Sequence, residues 1–316
     1  MSPEDTDKPR GARVLTSTRR WFRRYCRALV AAPAGRGRTS GWVIAGCLAV
    51  SFLVVCTSLD AAANGRALTD DFTRLRTDLG LVAADDFSGP AGSAPSSAMW
   101  NVSTGGGGWG NGEKQVYTSA PDNVAMDGAG HLRITARRTG SRITSARVDT
   151  LGKLDTSGGL LAVRAKLPEG QGLHPAIWML GSSLQVVGYP EAGEIDIVEQ
   201  INTHRTVSVG ALGPRTDLAD KRPWKMHTDV TVDPAPDSDG YHTYWVHRQP
   251  GLIEYGIDGR TVMTLRPRDL PPSSVWVLDE PFFLVLNLAV GGEWPGPVAE
   301  TSLPATMFVD WVRMYA

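Results

Sequence analysis

The run Glu194-Ile195-Asp196-Ile197-Val198-Glu199 puts three acids within six residues, separated by apolar side chains. In a strand, alternate side chains share a face, so Glu194 and Asp196 point one way and Ile195 the other way, into a core. Strict alternation would place Val198 beside the first two acids and turn Glu199 away. One extra residue taken up as a β-bulge after Asp196 returns Glu199 to their face, and bulges are frequent beside active sites because they re-aim a side chain. The glutamate Cα atoms then lie about 13 Å apart. Long side chains leaning inward over the shorter Asp196 bring their carboxyls toward the roughly 5 to 5.5 Å at which one acid attacks an anomeric carbon while the other protonates the leaving oxygen. Acids crowded on one face repel, which raises the pKa of at least one and makes a carboxylic acid able to donate near neutral pH. Without supporting surroundings, the same pattern describes a solvated acidic strand face or a calcium site.

The elements that must hold these acids are strands. From Asp85 on, short β-rich runs such as Leu132-Arg133-Ile134-Thr135-Ala136 and Phe283-Leu284-Val285-Leu286-Asn287 alternate with Gly, Pro, Asn and Asp clusters. That spacing predicts an all-β sandwich or barrel. An Asp258-Gly259 pair between apolar residues marks a hairpin. The glycine-rich stretch from Gly105 to Gly112 lacks the Lys-Ser/Thr ending of a phosphate-binding loop and reads as a close-packed loop beside a ligand. Sugars stack on aromatic rings and hydrogen-bond to planar polar groups, so Trp109, Trp178 and Trp294 with Asn111, Glu113, Arg147 and Asn287 are cleft candidates by type. Trp245, Trp276 and Trp311 are assigned to packing.

Charge and cysteine placement narrow the setting. The net charge of the 316 residues is -1, but the first forty residues carry ten Lys and Arg against three acids, a local +7 that leaves -8 on the rest. An acidic body argues against nucleic acid, whose binding relies on Lys and Arg neutralising phosphates. Cys26, Cys47 and Cys56 all precede residue 60, so the body has neither a disulfide nor a thiolate metal site. From Trp42 to Val55 the chain is almost continuously apolar behind Arg19, Arg20, Arg23, Arg24, Arg27, Arg36 and Arg38. This predicts a membrane-inserted helix with a cytoplasmic N-terminus and everything after Asp60 outside. Its length suits either a retained anchor or a signal-peptide core cleaved near Ala61-Ala62-Ala63. Thr18-Arg19-Arg20-Trp21-Phe22 is similar to a twin-arginine export signal, though far from the apolar run. The expected organisation is a basic cytoplasmic segment at 1–40, a transmembrane anchor or signal core at 41–58, a linker at 59–84 and a monomeric body at 85–316.

The body resembles the laminarinase group of glycoside hydrolase family 16 along nearly its whole length. The resemblance rests on Trp109-Gly110-Asn111-Gly112-Glu113, Thr144-Ser145-Ala146-Arg147, Lys166-Leu167-Pro168, Pro175 to Gly181, the Gly193 to Glu199 signature and Leu286 to Gly296. It implies a concanavalin A-like jelly roll of two curved antiparallel sheets with a cleft on the concave face. It also implies a retaining endo-β-glycosidase that cleaves a β-linked polysaccharide, foremost β-1,3-glucan. Carried over by position, Glu194 is the nucleophile, Glu199 the acid/base, and Asp196 the residue that orients and tunes Glu194. No cofactor is implied for catalysis; a structural calcium is implied near Asp310 on the convex side. The chain departs from the family where His174 and Tyr189 stand in place of Trp, and where Ala211-Leu212-Gly213-Pro214 lacks a His. These departures imply an altered sugar platform. A transglycosylase, an enzyme for another β-glucan or a β-galactan, and a non-catalytic glycan-binding protein on the same sandwich are the alternatives. Retention of both glutamates speaks against the last.

Overall fold

The computed structural model describes residues 70–202, 205–217, 222–234 and 239–316. The basic segment 1–40, the helix expected over 41–58 and residues 59–69 of the expected linker lie outside the described residues. No helix among the described residues is long and apolar enough to cross a membrane.

Two sheets form the body. The first runs in the order Trp224–Thr231, Thr206–Gly213, Glu194–Glu199, Leu173–Gly181, Phe282–Val290, Arg147–Asp149, Asn101–Ser103, with Asp155–Thr156 also on Phe282–Val290. The second runs Arg260–Leu265, Leu252–Ile257, His242–Gln249, Gly159–Lys166, Ala305–Tyr315, Leu132–Thr139, Arg142–Ser145, Gln115–Tyr117. Leu81–Asp85 adds to Ala305–Tyr315 and Val124–Met126 adds to Leu132–Thr139. Among the described residues the pairings are antiparallel except for Gln115–Tyr117, which lies parallel to Arg142–Ser145. The expected all-β sandwich is therefore what forms.

Its core lies where inward positions of the two sheets meet. Ile177, Ile195, Val198, Val209, Leu286 and Leu288 from the first sheet pack in one cluster with Leu132, Ile134, Val163, Val246, Met307 and Val309 from the second. Each large apolar side chain withdrawn from water contributes about 1.5 to 3 kcal/mol. Phe282–Val290 is buried at all nine positions, and Asn287 is its one polar residue. A polar group so placed must have partners. The Asp258-Gly259 hairpin forms as read, with Asp258 at φ 52°. Trp245 is fully buried and donates from Nε1 to Asp258 O at 2.8 Å. Its indole lies so close over Gly256 that an added Cβ would come within 1.9 Å, which is why that position is glycine.

Two expectations are corrected. The first is the body's boundary, which lies near residue 70 rather than 85. Asp70 caps a helix at Asp71–Thr77 by accepting from Thr73 N at 2.7 Å, and Leu75, with Phe72 and Leu79, packs on Leu160, Ala162 and Trp245. Leu81–Asp85 then pairs with the C-terminal strand. A single-turn apolar stripe and a strand whose partner lies more than two hundred residues away leave little local pattern to read. The second is Asp310, offered to calcium by the resemblance. Its Oδ2 is hydrogen-bonded by the Arg164 guanidinium, which also lies 4.7 Å over the Tyr241 ring. That guanidinium supplies the positive charge a metal would bring and repels a second cation, so the residues present do not fit calcium at Asp310.

A chain truncated before Asp86 should melt about 5 to 10 °C below one truncated before Thr69, since burial of Phe72, Leu75 and their neighbours is lost. Melts of the longer form with and without EDTA should superimpose; a chelator-dependent drop would restore the calcium site.

Candidate active site

Strand register builds the site. Trp178 pairs with Asp196, Ile177 with Val198 and Ala176 with Glu199, so Ile197 is passed over on one side of its strand. On the other side Asp196 pairs with Gly210 and Glu199 with Ser208, leaving two residues opposite Val209. This is the expected bulge, and it puts Glu199 on the face of Glu194 and Asp196 while Ile195, Ile197 and Val198 stay in the core. Paired residues share a face, so three rows cross the open side of the sheet. One reads Ser103, Arg147, Asn287, Ala176, Glu199, Ser208, Asp229. The next reads Asn101, Asp149, Val285, Trp178, Asp196, Gly210, His227, and the third Phe283, Leu180, Glu194, Leu212, Lys225.

Each of two acids in the cluster lies within hydrogen-bonding distance of an imidazole. His227 Nε2 lies 2.7 Å from Asp196 Oδ2, and His174 Nε2 lies 2.9 Å from Glu199 Oε1. Asp196 is also within hydrogen-bonding reach of the Glu194 carboxyl. Burial, then the charges of Asp196 and Glu199, pushes Glu194 well above the usual carboxylate range. Burial, then Glu199, does the same to Asp196. Neighbouring acids so shifted titrate as a unit and hold a shared proton where isolated carboxylates would be bare. Desolvation holds His227 below the usual imidazole value, with the nearby glutamates opposing it. It is therefore a neutral hydrogen-bonding partner rather than a cation near neutral pH.

Beside the acids stands a wall fixed by its own contacts. The Arg147 guanidinium lies 5.0 Å over the Trp109 ring and 4.7 Å over the Trp178 ring. Trp178 Nε1 donates to Asn287 Oδ1 at 2.6 Å, and Asn287 Nδ2 donates to Tyr117 Oη at 3.1 Å. Burial first and then Glu113 raise Tyr117 far above its usual value, so its hydroxyl keeps its proton and donates to Glu113 Oε2 at 3.4 Å. Glu113 also accepts from Asn111 Nδ2 at 3.2 Å and from Gln115 Nε2 at 2.5 Å. Thus Trp109, Asn111, Glu113, Arg147, Trp178 and Asn287 come together as the sequence suggests. Arg147 Nε is buried between these contacts and has no hydrogen-bond partner among the described residues.

Tyr189 and Trp294 stand apart from this wall, 46% and 48% exposed. Trp294 meets the His174 ring edge-on at 5.2 Å, next to Glu199. The charges of Glu194, Asp196 and Glu199, in that order after burial, raise the Tyr189 hydroxyl, so this ring feels the acid cluster. His174 is only 7% exposed, so the reading of it as a reduced stacking platform is corrected: the imidazole lies beneath Trp294 and serves Glu199 instead. Leu212 pairs with Glu194, and an imidazole reaches the acids from His227, one strand further and one row along. The sequence reading missed His227, Tyr117 and Gln115. No motif marks His227; its only signal is that Gly210 lacks the Cβ that would come within 2.5 Å of the imidazole, and that is invisible without register. Elsewhere, a hollow of about 520 Å³ bordered by Leu79, Leu154, Asp155, His247 and Met314 has Asp155 as the one acid in its lining.

Residues 111–313 match the family model described as glycosyl hydrolases family 16. The chain is 34% identical over 250 residues to a β-glucanase of Rhodothermus marinus, covering 74% of this chain and 84% of that protein. It is similar to the laminarinase catalytic domain of Thermotoga maritima MSB8 at 35% identity and TM-score 0.66, over 75% of this chain and 98% of that one. With the endo-β-1,3-glucanase of Pyrococcus furiosus the values are 34% and 0.67, over 75% and 94%. Matched across most of its body in sequence and in fold, with the acids of the signature gathered on one face, the chain belongs to glycosyl hydrolases family 16.

Proposed function

We propose that this chain hydrolyses internal bonds of a β-1,3-linked glucan by double displacement. The observation that carries the proposal is the bulge that brings Glu194, Asp196 and Glu199 onto one open face beside Trp178 and Arg147. Glu194 attacks the anomeric carbon while Glu199 delivers its proton to the departing oxygen. Glu199 then takes a proton from the water that releases the sugar from Glu194, which restores both groups. Asp196, held by His227, exchanges a hydrogen bond with Glu194 and keeps its carboxyl oriented. The exposed rings of Trp294 and Tyr189 suit stacking of further sugar units beyond the one at the acids, which favours internal cleavage. The substrate choice draws on relatives named as laminarinase and endo-β-1,3-glucanase.

Purified body incubated with laminarin, mixed-linkage β-glucan and β-galactans should release oligosaccharides fastest from laminarin. Proton NMR should show the β-anomer first. Early appearance of the α-anomer would exclude double displacement, and preference for a galactan would overturn the substrate.

Glu194→Gln should lower turnover at least about 10³-fold while the protein stays folded. Because Glu194 and Asp196 are raised, the folded state binds more protons than the unfolded chain from about pH 4 upward, and stability falls as pH climbs through that window. The variant should therefore melt with the wild type below about pH 4 and exceed it by on the order of 1 kcal/mol at pH 7. Equal melts at both pH values would mean that the acids do not repel one another.

We further propose that the body works outside the cytoplasm, held by or released from the segment 41–58, on the strength of the arginines before the Trp42–Val55 run. Protease added to spheroplasts should degrade the body, and full protection would place it inside.

A further inference from the structure

We infer that His174 is a positioning residue for the proton-transfer step: its Nε2–H donates to Glu199 Oε1 and so leaves Oε2 to carry the proton to the departing oxygen. The inference rests on the reading of Glu199 as the acid/base.

The contact has the marks of a fixed one. His174 precedes Pro175, and the proline ring restricts the residue before it to extended backbone. Its neighbour across the ladder is Ala289, too small to compete for the space the ring occupies. The imidazole is 7% exposed, 2.9 Å from Glu199 Oε1 at Nε2, and held edge-on against Trp294 at an interplanar angle of 85°. A ring so covered offers no stacking surface to a sugar, while the more exposed Trp294 above it does.

The tautomer follows from the chemistry. With the proton on Nδ1, His174 Nε2 would accept, and Glu199 would spend its acidic proton on the protein instead of the substrate. With the proton on Nε2, the histidine donates to Oε1 and the carboxyl proton is confined to Oε2. When Glu199 gives that proton up, the same N–H faces a carboxylate, and a hydrogen bond to a charged acceptor is stronger than one to a neutral acid. The gain appears as the proton leaves, so it favours the transition state over the ground state. In the second half-reaction Oε2 takes a proton from water while Oε1 stays occupied. In both halves the imidazole acts only as a hydrogen-bond donor to Oε1 and passes no proton to Glu199 or to the substrate.

The test separates positioning from binding through the leaving group. His174→Phe keeps an aromatic ring and removes the donor; His174→Gln keeps a donor. Each is assayed on β-1,3-glucan and on a dinitrophenyl β-glycoside of a short β-1,3-glucan, whose phenolate departs without a proton. For His174→Phe, kcat/KM on the glucan should fall about 10- to 100-fold, the effect of losing one hydrogen bond to a charged group. On the aryl glycoside it should change less than about threefold, and azide, which needs no general base, should raise kcat and yield a glycosyl azide. His174→Gln should recover most of the loss on the glucan. The ratio of the two kcat/KM values is read within one preparation, so partial misfolding does not alter it. Parallel losses on both substrates, or no loss on the glucan, overturn the inference. Glu199→Ala run alongside must show the same split in larger measure. If it does and His174→Phe does not, the inference alone fails. If it does not, Glu199 is not the acid/base and the proposed function fails with it.

Discussion

Three carboxylates on one desolvated face repel one another, and the surroundings of the site work to make that arrangement tolerable. Isolated, such groups would be driven to neutrality or out of the sheet. Here Glu194 and Asp196 lie within hydrogen-bonding reach of each other, and two imidazoles hydrogen-bond to Asp196 and Glu199. From the edge strand, Lys225, an exposed residue in the same row as Glu194, draws both Glu194 and Asp196 back toward the charged form. The opposing force is apolar. Ile195, Ile197 and Val198 are locked in the sandwich core, so the strand cannot rotate its acids toward water without withdrawing those side chains. Electrostatic strain at the surface is held by packing underneath it.

The same division explains what the sequence revealed. Alternation, turn residues and the six-residue acid run are local properties, and they disclosed the sandwich, the hairpin at Asp258-Gly259 and the bulge. Asn287 was legible because a polar residue inside a run as apolar as Phe282–Val290 must be partnered, and its partners are Trp178 and Tyr117. What escaped was long-range. His227 reaches Asp196 only because the next strand carries glycine at position 210. Arg164 takes the Asp310 carboxylate because two strands distant in sequence lie side by side. Leu81–Asp85 is a strand only because the C-terminal strand offers it an edge. None of these pairings leaves a trace in spacing or composition.

The wall beside the acids differs from them in kind. Arg147 between two indoles, Trp178 tied to Asn287, and Asn287 tied through Tyr117 to Glu113 form one connected set of hydrogen bonds and ring contacts. A side chain with both ends engaged has little rotamer freedom left to lose when a ligand arrives. The wall is tied at both ends, whereas Trp294 and Tyr189 leave nearly half of their surface open to solvent.

The bulge also bears on how the acid motif can vary in length. Deleting Ile197 would leave Asp196 opposite Gly210 and Glu199 opposite Ser208, with a single valine facing Val209, a regular ladder with the same three acids in the same rows. A five-residue and a six-residue version of the signature are therefore topologically equivalent, and a one-residue indel there is silent in register. What the longer version adds is local twist and bend, which set the angle at which the last acid meets its substrate. Spacing between the acids is then a tunable trait, free to drift between two lengths while the chemistry stays in place.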